Sequence, residues 1–259
     1  MSDSNSIFSE IPNFKYDSEG LRPVSGEAFE NILHNRRSVR VYTEEKVPEE
    51  VMEKLLDYAL LAPNSSNLQP WEFYWVRSTD KKKALVKACF SQPAARTAQE
   101  IIVCVAKIKT WPKVRKLMLE HLKDENGFPK RGTDYYKTLV PMVYTQGVFS
   151  VIGLFKSLFY FFAGLFRVVP REPVSRNDMK IWATKSTALA AQNIMMGASA
   201  LGYDTCPMEG LDSKRVKKIL GLGRNSIIVM AISVGKRDPK KGVYGPRIRM
   251  PREEFVKKV

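Results

Sequence analysis

The chain has 259 residues, carrying 42 Lys and Arg against 27 Asp and Glu, a formal charge of +15 and a pI near 9.7. With 44% hydrophobic and 27% charged residues, 15 Gly and 15 Pro, it has enough apolar surface for a sizeable core, which excludes collagen-like, mucin-like and wholly disordered chains. Two histidines (His34, His121) disfavour a histidine-cluster mechanism, and three scattered cysteines (Cys89, Cys104, Cys206) lack metal-ligand spacing, so the reading is a reduced, cytoplasmic protein without structural zinc.

Residues 1–24 are polar, lack a basic segment followed by an apolar run, and read as an arm with no signal peptide. Glu27–Arg37 reads as a helix and Val39–Thr43 as a short extended piece. Pro48 suits the first position of the next helix, with Glu49 and Glu50 in its first turn. Val51, Leu55, Leu56, Ala59 and Leu60 then have the spacing of a buried helix face, which Ala62–Asn67 ends with turn-forming residues. Trp71–Val76 and Ile101–Val105 read as strands, the second buried on both faces, with a helix over Lys81–Cys89 between them. Lys107–Met142 contains helical pieces with weak signals.

The run Gly147–Val169 is long enough to cross a bilayer if helical, but Lys156 near its middle argues against a span, while Gly153 and Gly164 interrupt it. Ser175-Arg-Asn-Asp178 has the form of a capping box and starts a long helix through Leu201. Its many Ala and Gly residues admit a close helix partner, either in one subunit's core or at a dimer interface. Lys214–Leu220 reads as a short helix and Ser226–Val234 as a third buried strand. Residues 25–259 thus form one α+β domain with an insertion at about 130–174.

Four segments carry candidate chemistry. In Arg36-Arg37-Ser38-Val39-Arg40, alternate residues of an extended chain face one way, so two guanidinium forks and a hydroxyl can hold an oxyanion. Ala62-Pro63-Asn64-Ser65-Ser66-Asn67-Leu68-Gln69-Pro70-Trp71 is a polar loop entering an aromatic strand. Pro207-Met208-Glu209-Gly210 reads as an unpaired turn with free backbone N–H groups. Pro246–Arg252 again places Arg247 and Arg249 on one side of an extended chain. Residues 213–259 hold 14 Lys or Arg against 3 acids. They carry no nucleic-acid motif, so this charge suits phosphate and solvent and no nucleic-acid partner is read. Gly221-Leu-Gly-Arg-Asn-Ser226 lacks the third Gly of a dinucleotide fingerprint and precedes a strand. His34 reads as a surface or capping residue and Cys206 as a small packing residue.

These four segments, in this order, resemble the FMN-dependent nitroreductase family over about residues 27–256. The resemblance implies an α+β fold with a central, mostly antiparallel sheet flanked by helices, a hydrophobic helical insertion and an intertwined homodimer. It implies FMN as cofactor, NAD(P)H as co-substrate stacking directly on the flavin, and ping-pong reduction of nitroaromatic, quinone or related conjugated acceptors. A dehalogenase or dehydrogenase on the same scaffold is the alternative enzyme; a membrane-associated flavin binder without turnover is the alternative outside enzymes.

Residue by residue, Arg36, Ser38 and Arg40, with Arg37 among them, match positions that hold the flavin's phosphate, ribityl chain and pyrimidine edge, and Arg247 and Arg249 match tail positions that close on the phosphate. Pro63, Ser65 and Asn67 match a loop reaching the other subunit's flavin; Asn64 departs from the family's more usual Ser. Pro207, Met208, Glu209 and Gly210 match the turn whose backbone N–H groups face flavin N5 and O4, so no side chain is read as catalytic. Gln92 matches a reader of the pyrimidine edge. The Phe-rich 147–169 insert lies where the family varies most, and three roles stay open for it: a cover selecting aromatic or lipophilic acceptors, packing in the core or dimer, or peripheral contact with anionic lipid.

Overall fold

The computed structural model describes residues 23–124, 130–147 and 151–259. Four strands form one antiparallel sheet: β1 (Trp71–Trp75), β2 (Glu100–Lys107), β3 (Asp204–Met208) and β4 (Ser226–Gly235), in the order β1-β2-β4-β3. The two strands richest in aliphatic residues take the centre. Ile101 to Ala106 of β2 are all fully buried, and β2 pairs with β4 from Glu100↔Val234 to Lys107↔Ser226, with a bulge between Cys104 and Val105.

Strand alternation sorts the core into two faces. Ile102, Cys104, Met230, Ile232 and Val234 meet α2 (Glu49–Leu60) and the long helix α9 (Arg176–Ala200). Ile101, Val103, Val105 and Ala231 meet α3 (Thr79–Ala88), α4 (Pro93–Thr97) and α10 (Ser213–Leu220). The result is a sheet with helices on both faces, each fully buried Ile or Leu contributing about 1.5–3 kcal/mol relative to an exposed one. The small residues of α9 serve this intrachain packing: a Cβ on Gly197 would stand 2.4 Å from the Tyr58 ring of α2. The capping box forms, since Ser175 Oγ accepts from Asp178 N at 3.1 Å while Asp178 Oδ2 accepts from Ser175 N at 2.8 Å and Val174 N at 3.0 Å.

Two elements differ from the expectation. Pro48 is the cap preceding α2, which starts at Glu49. The buried face of α2 is Met52, Leu55 and Ala59, while Leu60 is 54% exposed; the helix turns its i, i+3, i+7 stripe inward. The expected turn at Pro207-Met208 is the end of strand β3, with Pro207 opposite Ile232 and Met208 opposite Ala231. Proline is tolerated there because β3 is the last strand of the sheet, where a missing N–H need not interrupt a second ladder. The extended piece from Ser38 to Thr43 bridges to Thr205 of β3 through Ser38 and to Arg237, just beyond β4, through Tyr42.

Between β2 and α9 come α5 (Trp111–Asp124), α6 (Lys130–Asp134), a π-helical turn at Tyr135–Leu139, α7 (Val140–Tyr144) and α8 (Val151–Ala163). Leu122, Tyr136, Val140 and Tyr144 pack with Leu68, Met179 and Trp182 in a third cluster. Among the described residues no helix is long and apolar enough to cross a membrane. The expected arm lies almost wholly outside the described residues.

Candidate functional site

The helix α1 (Gly26–Asn35) is capped by Ser25, whose Oγ accepts from Ala28 N at 3.2 Å. Beyond its end, Arg36 to Arg40 leave in extended form, held by Val39 N donating to Thr205 O at 3.1 Å and Arg40 N donating to Gly242 O at 2.8 Å. The C-terminal segment folds over them. Together Arg36, Arg37, Ser38, Arg40, Arg247 and Arg249 line a cavity of about 230 Å³.

The arginines of this cavity do different work. Arg247 Nη2 donates to the carbonyls of His34 (2.9 Å) and Arg36 (2.6 Å), so it satisfies the open end of α1. Arg37 Nη2 donates to Gly245 O at 2.6 Å, and Arg40 stacks over Tyr244 with 5.3 Å between Cζ and ring centroid. Arg249 Nη1 donates to the carbonyl of Ile248 at 2.7 Å. The Arg36 guanidinium, half-buried, has no protein acceptor among the described residues. Burial, and then the charges of Arg247, Arg249 and Arg37, push it below the usual arginine range. No carboxylate lines the cavity. Five cations without a counter-charge form a site for an anion such as a phosphate ester.

The neighbouring turn is tied in from another direction. Gln92, at the N-terminal cap of α4, donates its Nε2 to Gly210 O and Cys89 O, both at 3.1 Å. Met208 is buried in β3, whereas Glu209 and Gly210 follow it exposed. Cys206, nearby in β3, is buried, and burial raises its thiol despite the opposing charges of Arg40 and Arg36; it packs as a thiol, not as a thiolate nucleophile. His34 is an exposed residue at the end of α1, 3.7 Å from Glu30. Gly221 ends α10 in the left-handed conformation and leads to β4, which is not the turn of a dinucleotide fingerprint.

A second cavity, of about 480 Å³, shares no lining residue with the first. Its floor is the 64–69 loop, which holds Ser66, Asn67 and Gln69 at φ of 57°, 45° and 43°. That backbone is costly for side chains other than Gly, and side-chain bonds fix it. Asn64 Oδ1 accepts from Gln69 N at 2.8 Å, so the residue that departs from the family pattern braces its own loop. Ser65 Oγ and Tyr144 OH share a 2.9 Å hydrogen bond, Ser66 Oγ and Tyr135 OH one of 2.6 Å, and Tyr136 OH donates to Ser66 O at 3.0 Å. Burial, and then the adjacent Tyr135 and Tyr144, push the Tyr136 phenol up to about 12. Pro63 and Asn67 are exposed, and Asn67 Nδ2 reaches Met118 Sδ at 3.7 Å.

The wall opposite is α9. Trp182 stands 4.8 Å from Tyr144 between ring centroids, and its buried Nε1 has no hydrogen-bond partner among the described residues. Lys185 and Ser186 line the same cavity one turn on. Sequence reasoning missed Tyr135, Tyr144, Trp182 and Lys185. The available signals were the Tyr135-Tyr136 pair and a tryptophan one turn inside a capped helix.

Fold and site together define a class: a helix-flanked antiparallel sheet with a basic anion cavity made by the 36–40 and 243–249 segments and a separate aromatic cavity between the 64–69 loop, the Tyr135–Tyr144 segment and α9. The profile of the Nitroreductase family matches residues 33–236, and the chain belongs to that family. It is 28% identical to the "NADH dehydrogenase" of Thermus thermophilus, over 85% of this chain and 91% of that protein. The solved structure of Bacillus subtilis YdfN superposes with a TM-score of 0.71 at 23% identity, covering 90% of this chain and 99% of that one. A protein of Exiguobacterium sibiricum, solved in complex with FMN, superposes at 0.62 with 25% identity, covering 89% and 97%.

Proposed function

We propose that the chain is an NAD(P)H-dependent FMN oxidoreductase that acts as a homodimer on flat, conjugated acceptors such as nitroaromatics or quinones. The observation that carries this reading is the cavity of uncompensated arginines. Its donor set fits FMN: Arg36 has a free guanidinium fork for a phosphate monoester, Arg249 adds charge, and the Ser38 hydroxyl suits a polyol chain. When bound, FMN supplies the ring that takes up and passes on a hydride. The chain's part is to bind and orient. Arg36, Arg40 and Arg249 hold the anionic end, Arg247 fixes the backbone beneath it, and Gln92 steadies Gly210 so that the exposed backbone of Glu209 and Gly210 can meet the ring edge.

The aromatic cavity is the acceptor's. Tyr144 and Trp182 offer ring faces, while Lys185 offers a donor to a nitro or quinone oxygen. Because Asn64–Ser66 and the arginines line different cavities of one chain, the reading pairs the 63–67 loop of one subunit with the arginine cavity of the other. With no dinucleotide fingerprint at Gly221–Ser226, donor and acceptor use one opening in turn, in ping-pong order.

The test uses purified protein loaded with FMN. It should sediment as a dimer, be bleached by NADPH without oxygen and turn over a naphthoquinone. Trp182→Phe should keep the NADPH half-reaction while raising the quinone KM several-fold. A protein that cannot be loaded with FMN, or a flavin-saturated monomer, would overturn the reading.

A further inference from the structure

Helix α8 is turned inside out relative to an ordinary surface helix. Toward the body it presents Gly153, Lys156, Tyr160 and Ala163, all buried or half-buried. Gly153 lies so close that a Cβ would sit 1.9 Å from Val174 O. Lys156 Nζ donates inward to the carbonyls of Thr145 (2.5 Å) and Val143 (3.2 Å), at the end of α7. Outward, Leu154, Phe155, Phe161, Phe162 and, just beyond the helix, Phe166 are 56% to 89% exposed. At 100° per residue the exposed apolar positions cover about half the circumference.

The charge around this face has one sign. Between Asp134 and Glu172 the sequence contains Lys137, Lys156, Arg167 and Arg171 and no acid. Arg167 lies 5.9 Å over the Phe159 ring, and the Arg171 guanidinium lies against Gly164 at the helix end.

We infer that α8 is a monotopic anchor that lies in the interface of an anionic membrane, its Leu and Phe side chains among the acyl chains and Arg167 and Arg171 at the headgroups. A helix apolar over half its girth with basic residues at one end has the composition of an interfacial helix, and a 13-residue helix is too short to span. A second copy of the chain fits less well. Protein interfaces set register through a polar rim, and Ser157 is the one polar side chain on the exposed surface of α8.

Beside α8 an apolar groove of about 610 Å³ runs between Phe155 and Val168, and Pro170 lines both it and the aromatic cavity. If the acceptor reading also holds, an acceptor dissolved in the membrane has a path to that cavity. Vesicle binding is read without any acceptor, so the two proposals fail separately.

The experiment is cosedimentation of the FMN-loaded full chain with vesicles of phosphatidylcholine alone or with about one-third phosphatidylglycerol. Beside it runs the triple variant Leu154→Ser, Phe155→Ser, Phe166→Ser, with sedimentation velocity and flavin content as controls. The wild type should bind anionic vesicles at least tenfold better than neutral ones, and the variant should lose at least tenfold while keeping its flavin and oligomeric state. Failure of the wild type to bind anionic vesicles overturns the inference. A variant that binds as before, or that drops to a smaller oligomer, also overturns it, the latter assigning the face to a subunit contact.

Discussion

The two cavities are built from opposite materials. The arginine cavity is a set of like charges held together by carbonyls, with Arg247 on the end of α1 and Arg37 on Gly245, across sequence separations of 211 and 208 residues. The aromatic cavity sets the rings of Tyr135, Tyr144 and Trp182 beside charges of both signs (Glu172, Asp178, Lys185), and is held by phenol bonds between the 64–69 loop and the Tyr135–Tyr144 segment. The first stores electrostatic repulsion that an anion relieves; the second stores backbone strain that tyrosines hold down. Recognition at the first therefore follows charge and at the second follows shape.

The sharpest separation comes from two arginines of one cavity. Arg36→Ala should weaken FMN binding roughly 10- to 150-fold, as expected for losing a charged hydrogen-bond partner, while the melting temperature of the apoprotein stays put, because that guanidinium has no acceptor among the described residues. Arg247→Ala should lower both, costing the apoprotein about 1–2 kcal/mol through the uncapped α1. Equilibrium dialysis and thermal melts read the two quantities; equal behaviour of the variants would erase the division of labour. A global control comes next: Gly197→Val drives side-chain atoms into the Tyr58 ring and should cost about 1–3 kcal/mol by overpacking, shifting the denaturation midpoint without favouring either cavity.

On the aromatic side, Tyr144→Phe removes the hydroxyl that bonds Ser65 and Ser66. It should cost about 1 kcal/mol of stability and leave the salt dependence of FMN binding as in the wild type. The smallest effect is set by pH. Burial raises the Asp178 carboxyl, but the N–H groups of Val174 and Ser175 and the Ser175 hydroxyl outweigh it and hold the group below the usual carboxylate range. A carboxylate depressed on folding stabilises above its unfolded pKa of about 4 and loses that contribution as pH falls through the folded value. Wild type should thus melt above Asp178→Asn at pH 7, and the gap should close on acidification. A gap that widened in acid would reverse the sign.

How legible each region was follows from what its residues do locally. The central strands announced themselves because Ile101–Val105 and Ser226–Val234 are rich in Ile and Val, the first fully buried and the second buried from Met230 onward. β3 was hidden because Pro207 and the following Met-Glu-Gly carry turn chemistry, and only pairing with β4 draws Pro207 and Met208 into a strand. The arginine cavity was visible in the alternation of Arg36, Ser38 and Arg40. The use of Arg247 as a helix cap was not, since it depends on a contact made 213 residues away along the chain. The aromatic cavity left little trace because Tyr135, Tyr136 and Tyr144 sit in a broken series of short helical turns without a single period.

The cap made by Arg247 has a consequence for the order in which the protein is made. Its acceptors, His34 and Arg36, precede it by 213 and 211 residues, so they leave the ribosome long before Arg247 does. The nascent chain can assemble α1, the sheet and even α9 with the arginine cavity still lacking one wall. Closing a loop of more than two hundred residues is slow relative to local folding. The anion cavity is therefore the late-closing part of the fold, complete only once the segment that carries Arg247 has docked on the end of α1.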